Sequence, residues 1–326
     1  MTRERYELSR RQALAALGTV GVASAGAGLG TSAYFSDREE FTGNQLAAGE
    51  LDMKVSYEEH YSDWSEDEME GISEEDVTME MPADTGNFTG LLGDEVGPIW
   101  VSDENVSTFQ NNTEVVNSSA GKPLTLDPEL ACADGNRAND DPAASIALDD
   151  VKPGDFGELT LDFTLCGNPG YVWLYGALTS ASENGVTEPE ADDPDEEEGV
   201  VELLDEIQVI VWDDTDQDNV LDEEESTLVG PVSLRTFLAE YTLEPTNGSF
   251  GLPLPGDITA TSAGGSGRNC YSAAPATHAV GFGWYLPVDH ANEIQTDSVT
   301  FDLGFYTEQC RHNDGSGQNR TDVPQP

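Results

Sequence analysis

"GELTLDFTL", residues 157–165, alternates cleanly. Leu159, Leu161, Phe163 and Leu165 fall in one phase, and Thr160, Asp162 and Thr164 in the other. Period two sends successive side chains to opposite faces of a strand, so this stretch reads as a strand half-buried against a core. "SVTFDLGFY", 298–306, repeats the pattern through Val299, Phe301, Leu303 and Phe305. "VKPGD", 151–155, places Pro and then Gly where a type II turn wants them, directly ahead of the first strand. Further strand candidates are "LDMKVSY" (51–57), "ASIALDD" (144–150), "YVWLYGAL" (171–178), "IQVIVW" (207–212) and "AVGFGWYL" (279–286). Only "VSLRTFLAEY", 232–241, has helical spacing, through Val232, Leu234, Phe237, Leu238 and Tyr241. With no α-β alternation, the expectation is an all-β fold: a jelly-roll antiparallel β-sandwich over 51–310, with acidic loop insertions and one short helix.

The insertions are expected at 58–80 and 181–199, where acidic runs lack apolar periodicity and read as solvated loops. Residues 311–326 read as a flexible tail. The chain as a whole carries 64 acidic and 13 basic side chains, a net charge of −51 over 326 residues. Such a charge repels itself in dilute buffer, whereas at molar salt the Debye length falls to about 3 Å and the repulsion is screened. The acidic, lysine-poor surface therefore points to a high-salt environment. It also excludes nucleic acid as a partner, because no basic stripe exists to neutralise phosphates.

Residues 1–33 read as an export signal. Arg10 and Arg11 follow Ser9, a weakly apolar Gly/Ala-rich stretch comes next, and Thr31, Ser32 and Ala33 supply small residues for cleavage. Paired arginines favour the twin-arginine route for folded proteins, although Ala13 stands where Phe is usual; a membrane anchor is the alternative. The expected location is extracellular or on the cell surface, with membrane contact only during export. Cys132, Cys166, Cys270 and Cys310 fit that compartment: none forms C-x-x-C, so two disulfides are expected rather than zinc. Of three connectivities, Cys132 with Cys166 and Cys270 with Cys310 is favoured, since each pair flanks an expected hairpin; four buried thiols are the alternative. Six N-x-S/T sequons occur, and Asn105, Asn111 and Asn117 are the leading glycosylation candidates because their polar stretch reads as an exposed loop.

"WDDTDQDNVLDEEE", 212–225, follows the twelve-position calcium loop when counted from Asp214. Asp214, Asp216 and Asp218 take positions one, three and five, Val220 offers a carbonyl at seven, Asp222 stands at nine and Glu225 at twelve. Alternate residues of a tight loop point inward together, which is how calcium gathers six to eight oxygens. Asn219 replaces the usual Gly at position six, a mild departure because Asn tolerates the left-handed backbone. With about one residue in five acidic, five such matches arise by chance roughly 0.1 times over the chain. The flanks are not helical, so the site is expected as a structural calcium loop hung on a strand, with Kd of ~10⁻⁴ M or weaker. "EADDPDEEEG", 190–199, fails the same alignment, interrupted by Pro194.

"AYFSDREEFTGNQLAAGELDMKV", 33–55, resembles the start of mature TasA/camelysin proteins, in which a dedicated SipW-type signal peptidase cleaves just before such an aromatic-Asp stretch. Stretches at 148–174, 209–225 and 282–313 look like blocks of haloarchaeal secreted relatives. The resemblance implies a jelly-roll sandwich that polymerises with itself into extracellular filaments or biofilm-matrix fibres. In that arrangement each subunit donates residues 34–50 to its neighbour's sheet, with Tyr34, Phe35 and Phe41 as apolar anchors. Residues 34–50 folding back on their own domain is the alternative. Camelysin's reported metalloprotease activity is a further implication, but the chain has no H-E-x-x-H, and His60, His278, His290 and His312 have no ligand spacing. "GGSGR", 264–268, lacks the last Gly of a G-x-S-x-G nucleophile turn and reads as a flexible loop, so no catalytic residue is assigned. A secreted adhesive or carbohydrate-binding module is the competing class; Trp173, Tyr175, Trp284 and Tyr285 would serve it if they formed an exposed aromatic face.

Overall fold

A computed structural model describes residues 36–40, 51–66, 68–79, 82, 85–93, 99–115, 132, 145–149, 151–194, 196–197, 199–242, 251–288 and 292–317. In chain order the strands are β1 (Ser36–Glu40), β2 (Asp52–Ser62), β3 (Val77–Thr78), β4 (Phe88–Gly90), β5 (Trp100–Ser102), β6 (Ser145–Asp149), β7 (Phe156–Cys166), β8 (Gly170–Ser182), β9 (Gln208–Asp213), β10 (Ser226–Ser233), β11 (Leu252–Pro253), β12 (His278–Tyr285) and β13 (Ser298–Gln309). The α-helices are α1 (Val106–Thr113), α2 (Glu188–Ala191), α3 (Leu203–Glu206) and α4 (Leu234–Glu240).

The chain is an all-β antiparallel sandwich. One sheet runs β1-β13-β8-β11, with β6 also on β13, and the other runs β10-β9-β12-β7-β2. Their inner faces meet in one core that includes Leu159, Leu161, Phe163 and Leu165 of β7 and Val299, Phe301, Leu303 and Phe305 of β13. These are the two apolar phases read from the sequence, and each fully buried side chain contributes about 1.5–3 kcal/mol. Phe163 packs against Phe305 at a 5.0 Å centroid separation and edge-on to Tyr271 at 5.0 Å. The turn ahead of β7 forms as expected: Asp155 donates to the Lys152 carbonyl at 2.9 Å, and Gly154 takes φ +98°, which a side chain would strain. α4 starts two residues later than the pattern suggests, because Ser233 caps it by accepting from the Thr236 N–H.

Several expectations need correction. β7 is not half-buried: its polar phase, with Glu158, Thr160 and Thr164, is also buried, because a second layer covers that face. Over Glu158 and Thr160 the cover is Asp214 and Asn219, and Thr164 donates to the Ala276 carbonyl at 2.6 Å. The stretch at 58–80, expected as a solvated loop, is structured as well. β2 continues through Ser62, and Glu68 is buried, accepting from the Ser62 hydroxyl and the Trp64 N–H. β3, β5 and β4 then form a small third sheet around Val77, Leu91, Ile99, Val101, Phe109 and Phe156. The insert at 181–199 begins as the end of β8 and contains α2, closed by a capping box between Thr187 and Glu190. Four α-helices rather than one occur among the described residues.

Within the stretch that holds the leading sequons, residues 106–113 are helical and not a loop. Asn105 stands at the N-cap of α1 and donates to the Ser102 hydroxyl at 2.9 Å, while Asn111 is exposed on the helix. Asn117 lies outside the described residues. Residues 311–317 of the expected tail are docked, with Asn313 buried; Arg268 donates to the Gly315 carbonyl at 3.3 Å and lies over the Trp173 ring at 4.3 Å. "GGSGR" is a largely exposed loop, tied to this segment where the Ser266 N–H donates to the Asn313 carbonyl at 2.8 Å.

Candidate metal centre

β9 is an apolar run whose outward Trp212 lies over Gly281 of β12, where a Cβ would come within 1.9 Å of the indole. The chain therefore leaves the sheet fixed, and Asp214 follows immediately, only 1% exposed. Gln217 at φ 63° and Asn219 at φ 60° then turn the loop through the left-handed region. The second of these is the position at which the sequence substitutes Asn for Gly.

One carboxylate oxygen from each of Asp214, Asp216 and Asp218 lies within 4.8 Å of the others. Asp222 and Glu225 are not in that trio. Glu225 instead closes the loop, its Oε1 accepting from the Thr215 N–H and, at 3.3 Å, from the Thr215 hydroxyl. Its other oxygen, Oε2, is enclosed without a hydrogen-bond partner. Asp214 accepts from Gln217 N–H at 2.7 Å, Asp218 from Val220 N–H at 3.0 Å and Asp222 from Glu224 N–H at 2.9 Å. Burial, then repulsion from Asp214, Asp216 and Asp222, pushes Glu225 up to about 7. Burial and the neighbouring Asp216, Asp214 and Asp222 push Asp218 up to about 6, against the lowering effect of the Val220 N–H. Crowded acids with one orphaned buried oxygen fit a hard cation, which would remove the repulsion that raises them.

Sequence reasoning missed the floor of this site. The Thr160 hydroxyl of β7 bridges Asp214 Oδ2 at 3.0 Å and Asn219 Oδ1 at 2.7 Å. The Asn219 amide in turn donates to Glu158 at 3.2 Å. Glu158 is 1% exposed, and its burial, with the charges of Asp218 and Asp214, holds it well above the usual carboxylate range. The available signal was the polar phase of β7, which an ordinary strand would have turned to water.

The middle of the loop is also a fastener. Val220 inserts into the core of the third sheet, and Leu221 packs with Leu92, Ile210 and Trp212. Leu221 N–H donates to the Leu91 carbonyl at 3.0 Å, and Gln110 of α1 donates to the Asp218 carbonyl at 2.7 Å. Beside it lies a cavity of about 360 Å³ between β2, α1 and residues 217–219, with Glu58, Glu114, Asp162 and Asp218 on its walls.

The remaining candidates separate clearly. His60 is buried, its Nδ1 3.0 Å from the Gln110 carbonyl, and His278 Nε2 is 3.1 Å from the Ser272 carbonyl. Trp173, Tyr175 and Trp284 are core residues, 2–3% exposed, and Tyr285 is half-buried. Tyr34, Phe35, Phe41 and His290 lie outside the described residues. Both favoured disulfides are present, Cys132–Cys166 and Cys270–Cys310, as in proteins matured in oxidising compartments. No helix among the described residues is long and apolar enough to cross a membrane. Comparison with protein-family models and with curated proteins found no match.

Proposed function

We propose that the protein is a secreted structural subunit of an extracellular filament or biofilm matrix, stabilised by calcium in loop 214–225 and joined to itself through its N-terminal strand, as in the TasA/camelysin proteins that its first residues resemble. The observation that carries this reading is the place of β1. It is a five-residue strand on β13, with Ser36 opposite Glu308 and Glu40 opposite Gly304, and β6 takes the other half of the same edge. Here β1 pairs with its own chain, the fold-back arrangement given above as the alternative, and the same register would serve β1 of a second copy exchanged into its place. Strand addition of this kind supplies affinity without charge complementarity, as two very acidic surfaces require.

Calcium would be held by Asp214, Asp216 and Asp218, with Asp222, Glu225 and the Val220 carbonyl completing the set. It would supply charge neutralisation and not chemistry, keeping Val220 and Leu221 seated and so holding the third sheet on the sandwich. The aromatic residues that an adhesive carbohydrate-binding module would need exposed are Trp173, Tyr175 and Trp284, all buried, so no observation favours that reading. Removing residues 34–50 from the mature protein tests the assembly mode. A folded monomer that forms no filaments is expected, and filaments formed without the segment would refute it.

A further inference from the structure

Loop 214–225 starts at the end of β9 and yet makes side-chain hydrogen bonds two strands away, on β7. β12 lies between, and the residues it places opposite Thr160 and Glu158 of β7 are Gly281 and Gly283. Neither has a side chain to hold the loop off the sheet, and the Trp212 indole takes the space over Gly281.

The residue that β7 holds is Asn219. It is 4% exposed and takes φ 60°, the left-handed turn of the loop. The Thr160 hydroxyl lies 2.7 Å from Asn219 Oδ1, and the Asn219 amide donates to Glu158 Oε2 at 3.2 Å. Both partners are buried, and β7 is itself paired on its two sides, with β12 and with β2, so the support is rigid. Glycine here would make the same turn without strain but would give β7 nothing to hold. The Thr160 hydroxyl also reaches Asp214 Oδ2, at 3.0 Å, and has one proton for the two acceptors. An ion that draws on the Asp214 carboxylate leaves that proton to Asn219, so filling the loop tightens its turn.

We propose, resting on the calcium reading of this loop, that Asn219, Thr160 and Glu158 are positioning residues. Through the Asn219 side chain, β7 clamps the loop in its ion-binding shape, a task that calcium loops usually leave to the backbone freedom of Gly at the same position. Groups that orient metal ligands from behind are worth about 10–100-fold in affinity. Asn219→Gly, which restores the usual residue, therefore weakens the site.

Isothermal titration calorimetry of calcium into the mature protein in molar sodium chloride tests this. Thr160→Ser keeps the hydroxyl and should bind as the wild type does. Thr160→Val, of the same shape without the hydroxyl, and Asn219→Gly should each bind at least about tenfold more weakly. An Asn219→Gly protein that binds as tightly as the wild type, or more so, would overturn the proposal, as would a Thr160→Val protein of unchanged affinity. Equal weakening in Thr160→Ser would make Thr160 a packing residue and count against the clamp. A wild type that takes up no calcium defeats the reading of the loop, and the clamp with it; wild-type binding that the variants leave untouched defeats the clamp alone. Should Thr160→Val not fold, Asn219→Gly decides the question, because Gly suits the backbone at that position.

Discussion

Asp214→Asn gives the sharpest view of the loop because its effect should depend on calcium. Asp214 is 1% exposed and shares its oxygens between the Gln217 N–H and the Thr160 hydroxyl. Asn keeps one acceptor of the same shape, so in chelator the loss is a hydrogen bond of about 1 kcal/mol, offset by relief of repulsion from Asp216. With calcium the balance differs. At a Kd of ~10⁻⁴ M, ten millimolar ion is about a hundredfold excess and stabilises the wild type by about 2.7 kcal/mol. For a domain of this size that is roughly a 5 °C rise in Tm. Differential scanning calorimetry in molar salt, in chelator and in ten millimolar calcium, should show a rise of that order in the wild type and a smaller one in Asp214→Asn. An equal rise in both proteins would refute the assignment of Asp214 as a ligand.

The carboxyls of Glu225 and Asp218 are raised in the folded state, so the calcium-free fold binds more protons than the unfolded chain between about pH 4.5 and 7. Its stability should therefore fall as pH rises through that window, and calcium should flatten the slope in denaturant titrations. Replacing Cys132 and Cys166 by Ser opens a loop closed across 34 residues and should lower stability by about 3–4 kcal/mol, read from urea midpoints. Gly281→Ala drives a methyl into the buried Trp212 indole and should cost about 1–3 kcal/mol, with a change in tryptophan fluorescence.

Much of the sandwich was legible because β7, β8, β9, β12 and β13 are long enough for period two to be unmistakable. The same clarity misled at the polar phase of β7, since alternation tells which residues share a face and not whether that face meets water. The third sheet stayed hidden because β3, β4 and β5 have only two or three residues each, too few for any period, and lie among acids. The convergence of Asp214, Asp216 and Asp218 was readable because these acids are spaced along one local segment. Glu158 and Thr160, which floor it, come from another strand. Cysteine pairing succeeded because each pair flanks strands that were themselves readable.

The central claim is self-assembly, and the most direct test is negative-stain electron microscopy of the mature protein in molar salt, with and without millimolar calcium. The account predicts filaments, more abundant or more regular when calcium is present. Dispersed monomers in both conditions would contradict it.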